Sequence, residues 1–170
     1  MSDRETKRAQ FDGAKKKSWL PLLAIGVFLL AGIALLTWKF SASDATKYPA
    51  VAVVAGEVAI PLKQVDDGQA HFFSYQNGAT SIDFFVLKSQ DGVMRAAFDA
   101  CDVCYRDKKG YRQEGEEMVC VNCNQRFHSN LINEVKGGCN PAPLERRVSD
   151  DRLLIREADL LQGTRYFEGI

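Results

Sequence analysis

Residues 98–104 read FDACDVC and residues 118–123 read MVCVNC, so the chain carries two Cys-x-x-Cys motifs with fifteen residues between them. Two intervening residues let both sulfurs of a motif turn toward one point, and two such motifs supply the four thiolates that tetrahedral Zn²⁺ or iron prefers. The spacing is typical of zinc sites and matches neither ferredoxin pattern. We therefore predict one metal site on four thiolates, with zinc or a single rubredoxin-like iron favoured by spacing alone: Cys101, Cys104, Cys120 and Cys123.

Three further residues are candidates for the same site. Cys139 lies in the sequence GGCNPAP, where it is a ligand that exchanges with one of the four, a ligand of a second site, or a buried free thiol. His128 follows Cys123 by five residues and is either an additional ligand or a surface residue. His71 lies among aromatic residues, so packing is the alternative to ligation.

Turn signals divide the segment that precedes the first motif. Asn77-Gly78 and Asp91-Gly92 supply the positive φ angles of tight hairpins. The β-prone segments between such turns are 51–54, 57–62, 70–75, 81–88 and 93–98. They predict an antiparallel meander over residues 50–98.

The residues after the motifs add few elements. They predict a helical turn at 130–135, a strand at 152–156 and a helical turn at 158–161. The predicted fold class is therefore mainly β, of the α+β type, in one domain that contains both cysteine motifs.

An uncharged stretch precedes this domain. Residues 18–38 read SWLPLLAIGVFLLAGIALLTW, which spans roughly 31 Å at about 1.5 Å per residue and matches a hydrocarbon core of about 30 Å. Trp19 and Trp38 lie near its ends, where indole rings favour the headgroup level. The stretch predicts a single transmembrane helix, although the small residues 41–43 also fit the cleavage site of a signal peptide.

The flanking charges predict the orientation of that helix. Three lysines, 15–17, precede it and only Lys39 follows it, so the positive-inside rule exports the domain. The predicted organisation is a cytoplasmic tail (1–17), a transmembrane signal anchor (18–39), a linker (40–49) and an extra-cytoplasmic domain (50–170).

The charge of the domain and its compartment bear on function. Beyond Lys39 the chain has 15 basic and 19 acidic residues, which argues against nucleic-acid binding. Exported cysteines commonly form disulfides, so redox pairs or structural disulfides are the alternative to a metal site.

Five sequence segments also resemble a known family. They are AAFDACDVCY (96–105), KGY (109–111), MVCVNC (118–123), GGCNPAPL (137–144) and DGQAHFF (67–73). Together they are similar to the FtrD-like family of membrane iron–sulfur proteins, and the resemblance covers roughly residues 50–168.

The resemblance implies a function. It implies an iron–sulfur cluster or iron bound by Cys101, Cys104, Cys120, Cys123 and Cys139. It also implies electron transfer, without enzymatic activity, on the periplasmic side of the bacterial cytoplasmic membrane beside an iron permease. The alternatives are a thiol–disulfide oxidoreductase or metal donor, and a scaffold protein with a structural zinc site.

Overall fold

The computed structural model describes residues 46–169, which form a mainly β fold and confirm the predicted class. In chain order the elements are β1 (Ala50–Val51), β2 (Glu57–Pro61), β3 (His71–Asn77), β4 (Thr80–Lys88), β5 (Met94–Phe98), β6 (Tyr111–Glu114), β7 (Glu117–Cys120), β8 (Arg126–His128), β9 (Arg147–Ser149), β10 (Arg152–Arg156) and helix α1 (Glu157–Leu161). The predicted tail, the predicted anchor and the start of the linker lie outside the described residues. Within 46–169, no helix is long and apolar enough to cross a membrane.

Sheet 1 contains the predicted meander. Strands β3, β4 and β5 pair antiparallel in the order of the chain, which confirms this part of the prediction. The β3–β4 hairpin closes where Asn77 pairs with Thr80, and Gly78 has a φ of +59°. Glycine adopts that angle without steric cost, so the Asn-Gly signal acts as expected.

The first two predicted strands do not extend the meander, and that part of the prediction is wrong. Strand β1 is only two residues long and pairs parallel with β3. Strand β2 pairs antiparallel with β10, and with β9 these strands form sheet 2. The buried Val58 and Ile60 of β2 pair in register with Ile155 and Leu153 of β10. The apolar faces of β2 and β10 are thereby buried against the same core. Local sequence cannot specify that the partner strand of β2 lies almost one hundred residues away.

Sheet 3 occupies the segment between and after the two cysteine motifs. Strands β6, β7 and β8 pair antiparallel, and the β6–β7 hairpin turns at Gly115, whose φ is +60°. Glu114 and Glu117 pair with each other across this hairpin, and Arg126 forms ion pairs with both.

Sheet 1 separates two hydrophobic cores, because successive side chains of a strand point to opposite faces. The first core packs β4 residues such as Phe84 and Val86 against sheet 2 and helix α1. The second core contains Phe85 and Leu87 from the other face of β4, together with these buried residues: Ala97, Cys101, Tyr111, Met118, Cys120 and Ile132. Two of the predicted ligands are therefore integral to the second core.

Candidate metal centre

The first cysteine motif forms a tight turn just after β5. The backbone N–H of Cys104 donates to the Cys101 sulfur at 3.1 Å, and a turn of 3-10 helix, Tyr105–Asp107, follows. The turn ends at Lys108 in the left-handed region, with a φ of 51°. The motif therefore directs a backbone donor at the Cys101 sulfur, as in metal-binding knuckles.

The second motif forms a similar turn at the end of β7. The Cys120 sulfur accepts hydrogen bonds from the backbone N–H groups of Cys123 and Asn122, and the Cys123 sulfur accepts one from Gln125. Asn124 has a φ of 59°, a conformation that asparagine tolerates better than most residues. In both motifs, backbone N–H groups are thus directed at cysteine sulfurs.

The two turns and the loop that contains Cys139 bring the five cysteines together. The sulfurs of Cys101, Cys104 and Cys120 lie within 4.8 Å of one another, and we call these residues the inner group. The sulfurs of Cys104, Cys123 and Cys139 also lie within 4.8 Å of one another and form the outer group. Because Cys104 belongs to both groups, each of the other four sulfurs lies within 4.8 Å of its sulfur.

The spacing of the sulfurs fits a thiolate-bound metal. A tetrahedral ion with metal–sulfur bonds of about 2.3 Å holds its ligands about 3.8 Å apart. The sulfurs of Cys104 and Cys139 are 3.8 Å apart, and all five cysteines are free thiols. Cys139 therefore lies with the other thiols, and the disulfides that were the alternative to a metal site are not formed among the described residues.

Burial differs across the centre and shifts the thiol pKa values in opposite directions. Burial raises the pKa of Cys120 to about 11 and also raises that of Cys139. The hydrogen bond from the Gln125 amide lowers the pKa of the exposed Cys123. In the metal-free protein Cys123 is therefore favoured as a thiolate relative to Cys120 and Cys139.

Tyr111 is a residue of the centre that sequence reasoning missed. Its backbone pairs with Cys120 across sheet 3, and its hydroxyl donates to the carbonyl oxygen of Cys139 at 2.6 Å. Burial, followed by its contact with Cys101, raises the pKa of the phenol. Tyr111 therefore links three cysteine-bearing segments. The sequence signal for Tyr111 was the segment KGY (109–111), which is one of the five segments that resemble the family.

Asp99, two residues before Cys101, is a second residue near the centre that sequence reasoning missed. One carboxylate oxygen accepts from the backbone N–H of Tyr111 at 2.6 Å. The other oxygen accepts from Lys47 and from the Tyr48 hydroxyl, each at 2.8 Å. Burial raises the pKa of this carboxyl group, which is 5% exposed. Asp99 thus ties the end of the linker to the segment that leads into sheet 3.

Neither histidine belongs to a thiol group in the described part of the chain. The His71 Nε2 atom lies 2.8 Å from a carboxylate oxygen of Asp67. The His128 Nδ1 atom accepts from the Asn130 amide, and its Nε2 atom lies 3.4 Å from Glu116. Both rings therefore lie beside carboxylates.

A cavity of about 660 Å³ lies beside the inner group. Its lining includes the three cysteines of that group and an aromatic wall of Tyr105 and Tyr166. The rings of these two tyrosines meet edge to face, with centroids 5.8 Å apart. A molecule in this cavity would lie against residues of the inner group.

Comparison with known proteins identifies the family of this chain. Residues 65–167 match the model of the family described as membrane iron-sulfur containing protein FtrD-like. The chain belongs to the FtrD-like family. Neither a curated protein nor a solved structure is significantly similar to it. The family description covers a membrane location and an iron–sulfur group, and the matched region of this member contains every cysteine of the centre.

Proposed function

We propose that this FtrD-like protein is a membrane-anchored electron-transfer protein whose iron is bound by cysteine thiolates. The observation that carries the proposal is the convergence of five free thiols around Cys104, each within 4.8 Å of its sulfur. Iron held by thiolates changes its charge by one unit without a large change in geometry. The ligands proposed are Cys101, Cys104, Cys120, Cys123 and Cys139.

The protein environment would set the reduction potential of this site. Backbone N–H groups that donate to Cys101, Cys120 and Cys123 stabilise negative charge on sulfur and favour the reduced state. Burial of Cys101 and Cys120 favours the oxidation state in which the site has the smaller net charge, whereas exposed Cys123 gives solvent and partners access to the site. The exposed side of the centre is therefore the route that we propose for electrons.

We also propose a place for this protein in iron transport. The family description supports a membrane location and an iron–sulfur group, and the uncharged segment 18–38 supports an anchor. We place the domain in the bacterial periplasm beside an iron permease. There it would exchange electrons with iron as the permease moves it, and no chemical transformation of an organic substrate is required.

Anaerobic purification of the full chain in detergent tests the proposal. We expect bound iron, a visible thiolate-to-iron absorption band, and an EPR spectrum that changes reversibly when the protein is reduced and reoxidised. Cys120→Ser should lose the band. The control Val103→Ala should retain it, because that side chain lies within the first motif but is 62% exposed. Bound zinc with no visible band would contradict the proposal and support the structural zinc scaffold.

A second candidate function is thiol–disulfide exchange, and the state of Cys123 favours it. This thiol is exposed and its pKa is lowered, as expected of an attacking nucleophile. Its thiolate would attack a substrate disulfide and release one substrate thiolate. A second cysteine of the centre would then displace the other substrate thiolate, so that the protein dithiol is oxidised and the substrate is reduced.

Thiol alkylation separates the two candidate functions. Rapid labelling of Cys123 in reduced protein, and its loss after oxidation, would favour thiol–disulfide exchange. The electron-transfer proposal predicts uniform protection of all five cysteines while metal is bound, and labelling only after chelation. Mass spectrometry of peptides that contain the cysteines distinguishes these patterns.

A further inference from the structure

We infer that an exposed basic turn after the first cysteine motif lies against anionic lipid head groups of the membrane that anchors the chain. The basic turn consists of residues 106–109, which read RDKK. All four residues are exposed. The inference rests on the proposed function only in taking the segment 18–38 as a membrane anchor.

The basic turn differs in charge from the rest of the domain. It contains three basic residues and one acidic residue, whereas the other described residues include 12 basic and 17 acidic ones. Within the described part of the chain, neither Arg106 nor Lys109 forms an ion pair. The Arg106 Nε atom donates to the Tyr105 hydroxyl at 3.3 Å, and the Lys109 Nζ atom donates to the side-chain oxygen of Asn122 at 2.9 Å. Both positive charges can therefore interact with anions outside the protein.

The chain enters the domain beside this turn. The Lys47 ammonium and the Tyr48 hydroxyl both donate to one carboxylate oxygen of Asp99 at 2.8 Å. Gly110, directly after the turn, abuts the same carboxylate, because a Cβ atom there would lie 2.2 Å from it. Lys47 and Lys108 also line the same cavity of about 660 Å³. The entry point and the basic turn are therefore on one side of the domain.

The length of the connecting chain keeps that side near the membrane. Eight residue steps separate Lys39, the end of the predicted anchor, from Lys47, and an extended chain covers about 28 Å over that distance. A compact unit of the described size has a radius of gyration of about 14 Å, so it is about 35 Å across. An entry point on the far side of the domain would need a longer connection. We therefore place the entry point, and the basic turn with it, toward the membrane.

Anionic lipid is the partner that fits the chemistry of this surface. A basic side chain next to an anionic membrane surface strengthens attachment about fivefold. Val103, just before the turn, is 62% exposed, and the Arg106 guanidinium lies 5.8 Å from the centre of the Tyr105 ring. Apolar and aromatic side chains among basic ones suit the level of the lipid head groups. Contact there would hold the cavity beside the inner group toward the membrane.

Lysine footprinting of the full chain tests this inference. The chain is acetylated in nanodiscs of phosphatidylcholine with or without phosphatidylglycerol, and its peptides are analysed by mass spectrometry. We expect acetylation of Lys108 and Lys109 to be about fivefold slower or more in the anionic nanodiscs. A salt concentration of about 1 M, where the Debye length is about 3 Å, should remove the difference.

Lys63, an exposed residue after β2, is the internal control for the footprint. It should react equally in both kinds of nanodisc. Equal rates at Lys108 and Lys109 in the two lipids would overturn the inference. The same slowing at Lys63 would also overturn it, because no side of the domain would then be preferred.

An arginine variant separates the charge of the turn from other effects. Arg106→Gln removes one charge without changing a cysteine or a probed lysine, so the protection of Lys108 and Lys109 should fall about fivefold. Arg152→Gln, at an exposed cation of β10, is the matched control and should behave as the wild type. Undiminished protection in Arg106→Gln would overturn the role of the basic turn. The comparison of the two lipids in the wild type remains decisive even if a variant fails to fold.

The outcomes distinguish failure of this inference from failure of the proposed function. A chain that leaves the nanodiscs would overturn the anchor and this inference together. Unprotected lysines in an anchored chain with a reversible iron couple would overturn this inference alone. Protected lysines in a chain without such a couple would support the lipid contact and contradict electron transfer. Protection in native membranes, but not in nanodiscs of purified lipid, would assign the turn to a protein partner and overturn the lipid contact.

Discussion

The two faces of sheet 1 are stabilised by different means. On the first face, fully buried side chains such as Phe84 and Val86 pack against Leu160 and the residues of sheet 2 in a core of apolar side chains. On the second face, the core is smaller and includes Cys101 and Cys120 of the candidate centre. The first face is thus completed mainly by hydrophobic burial, whereas the second borders thiols that a metal would hold together.

Polar contacts reinforce the second face where its apolar core is small. The guanidinium of Arg95, which is 4% exposed, donates to the carbonyl oxygen of Ile132 at 3.0 Å. It also forms ion pairs with Asp91 and Glu134. Arg95 therefore fastens the loop after β8 to sheet 1. The difference between the faces indicates that polar contacts supply on one side part of what side-chain packing supplies on the other, and a metal bound by the thiols would add to them.

Removal of the metal should have the largest effect on this comparison. Apparent binding free energies of structural thiolate sites are about 10–16 kcal/mol, and this energy stabilises the fold around the site. We expect chelation under reducing conditions to abolish the hydrogen-exchange protection of β6, β7 and β8. Strands β2 and β10 of sheet 2 should keep theirs and serve as the internal control. Equal loss of protection in sheets 2 and 3 would show that the two sides unfold as one unit.

The Phe84→Ala variant probes the first face. Phe84 has no exposed surface, and its ring centroid lies 5.6 Å from that of Phe73. Truncation of such a residue leaves a cavity and costs about 3–5 kcal/mol of unfolding free energy. We expect urea titrations to show that cost with metal bound and after chelation, at unchanged metal content. Val93→Ala, at a side chain that is 41% exposed, should change stability by less than about 0.5 kcal/mol. A reduced metal content in Phe84→Ala would contradict the separation of the two faces.

The Gly110→Ala variant probes the support of the second face. A Cβ atom at Gly110 would lie 2.2 Å from a carboxylate oxygen of Asp99, and the φ of this residue is +68°. The left-handed conformation alone costs an alanine roughly 1–2 kcal/mol, and displacement of Asp99 adds to it. We expect a lower midpoint of urea unfolding and weaker metal binding.

Gly115→Ala is the matched control for that variant. Gly115 has a φ of +60°, but a Cβ atom there would meet nothing within 4 Å. Gly115→Ala should therefore show only the backbone cost, with metal affinity unchanged. Equal losses in the two alanine variants would show that the Asp99 contact does not contribute.

Local patterns in the sequence predicted those parts of the fold that depend on neighbouring residues. The Asn77-Gly78 turn predicted the β3–β4 hairpin, and the two cysteine motifs predicted turns whose sulfurs converge. The pairing of β2 with β10 and the contact of Lys47 with Asp99 join residues more than fifty positions apart. Such pairings depend on which faces are buried together in the folded chain, so no local pattern specifies them.

The candidate site shows the same limit. The spacing of the motifs predicted that Cys101, Cys104, Cys120 and Cys123 approach one another, and the structure brings them together in two overlapping groups. The position of Cys139 beside Cys104 depends on the loop that Tyr111 holds through the Cys139 carbonyl. Sequence reasoning left three alternatives for Cys139, because that hydrogen bond spans 28 residues.

The smallest expected effect is the loss of stability at low pH when Asp91, an ion-pair partner of Arg95 on the second face, is protonated. The Ser89 hydroxyl, the Val93 amide and Arg95 lower the pKa of Asp91 to about 2, below the ordinary value of 3.8. A carboxyl group with a lowered pKa stabilises the fold above its ordinary pKa, and this contribution is lost as pH falls toward the lowered value. We therefore expect wild-type stability to decrease between about pH 4 and pH 2 more steeply than that of Asp91→Asn.

The difference between these two proteins isolates the contribution of Asp91. Release of metal as thiolates are protonated affects both proteins alike, so it cancels in the comparison. The measurement is the unfolding midpoint in urea at pH steps across this interval, together with hydrogen exchange of the loop that Arg95 holds. Parallel pH profiles would show that Asp91 does not stabilise the second face. A steeper wild-type profile, confined to that loop, would show that its attachment to sheet 1 depends on an ionised carboxylate.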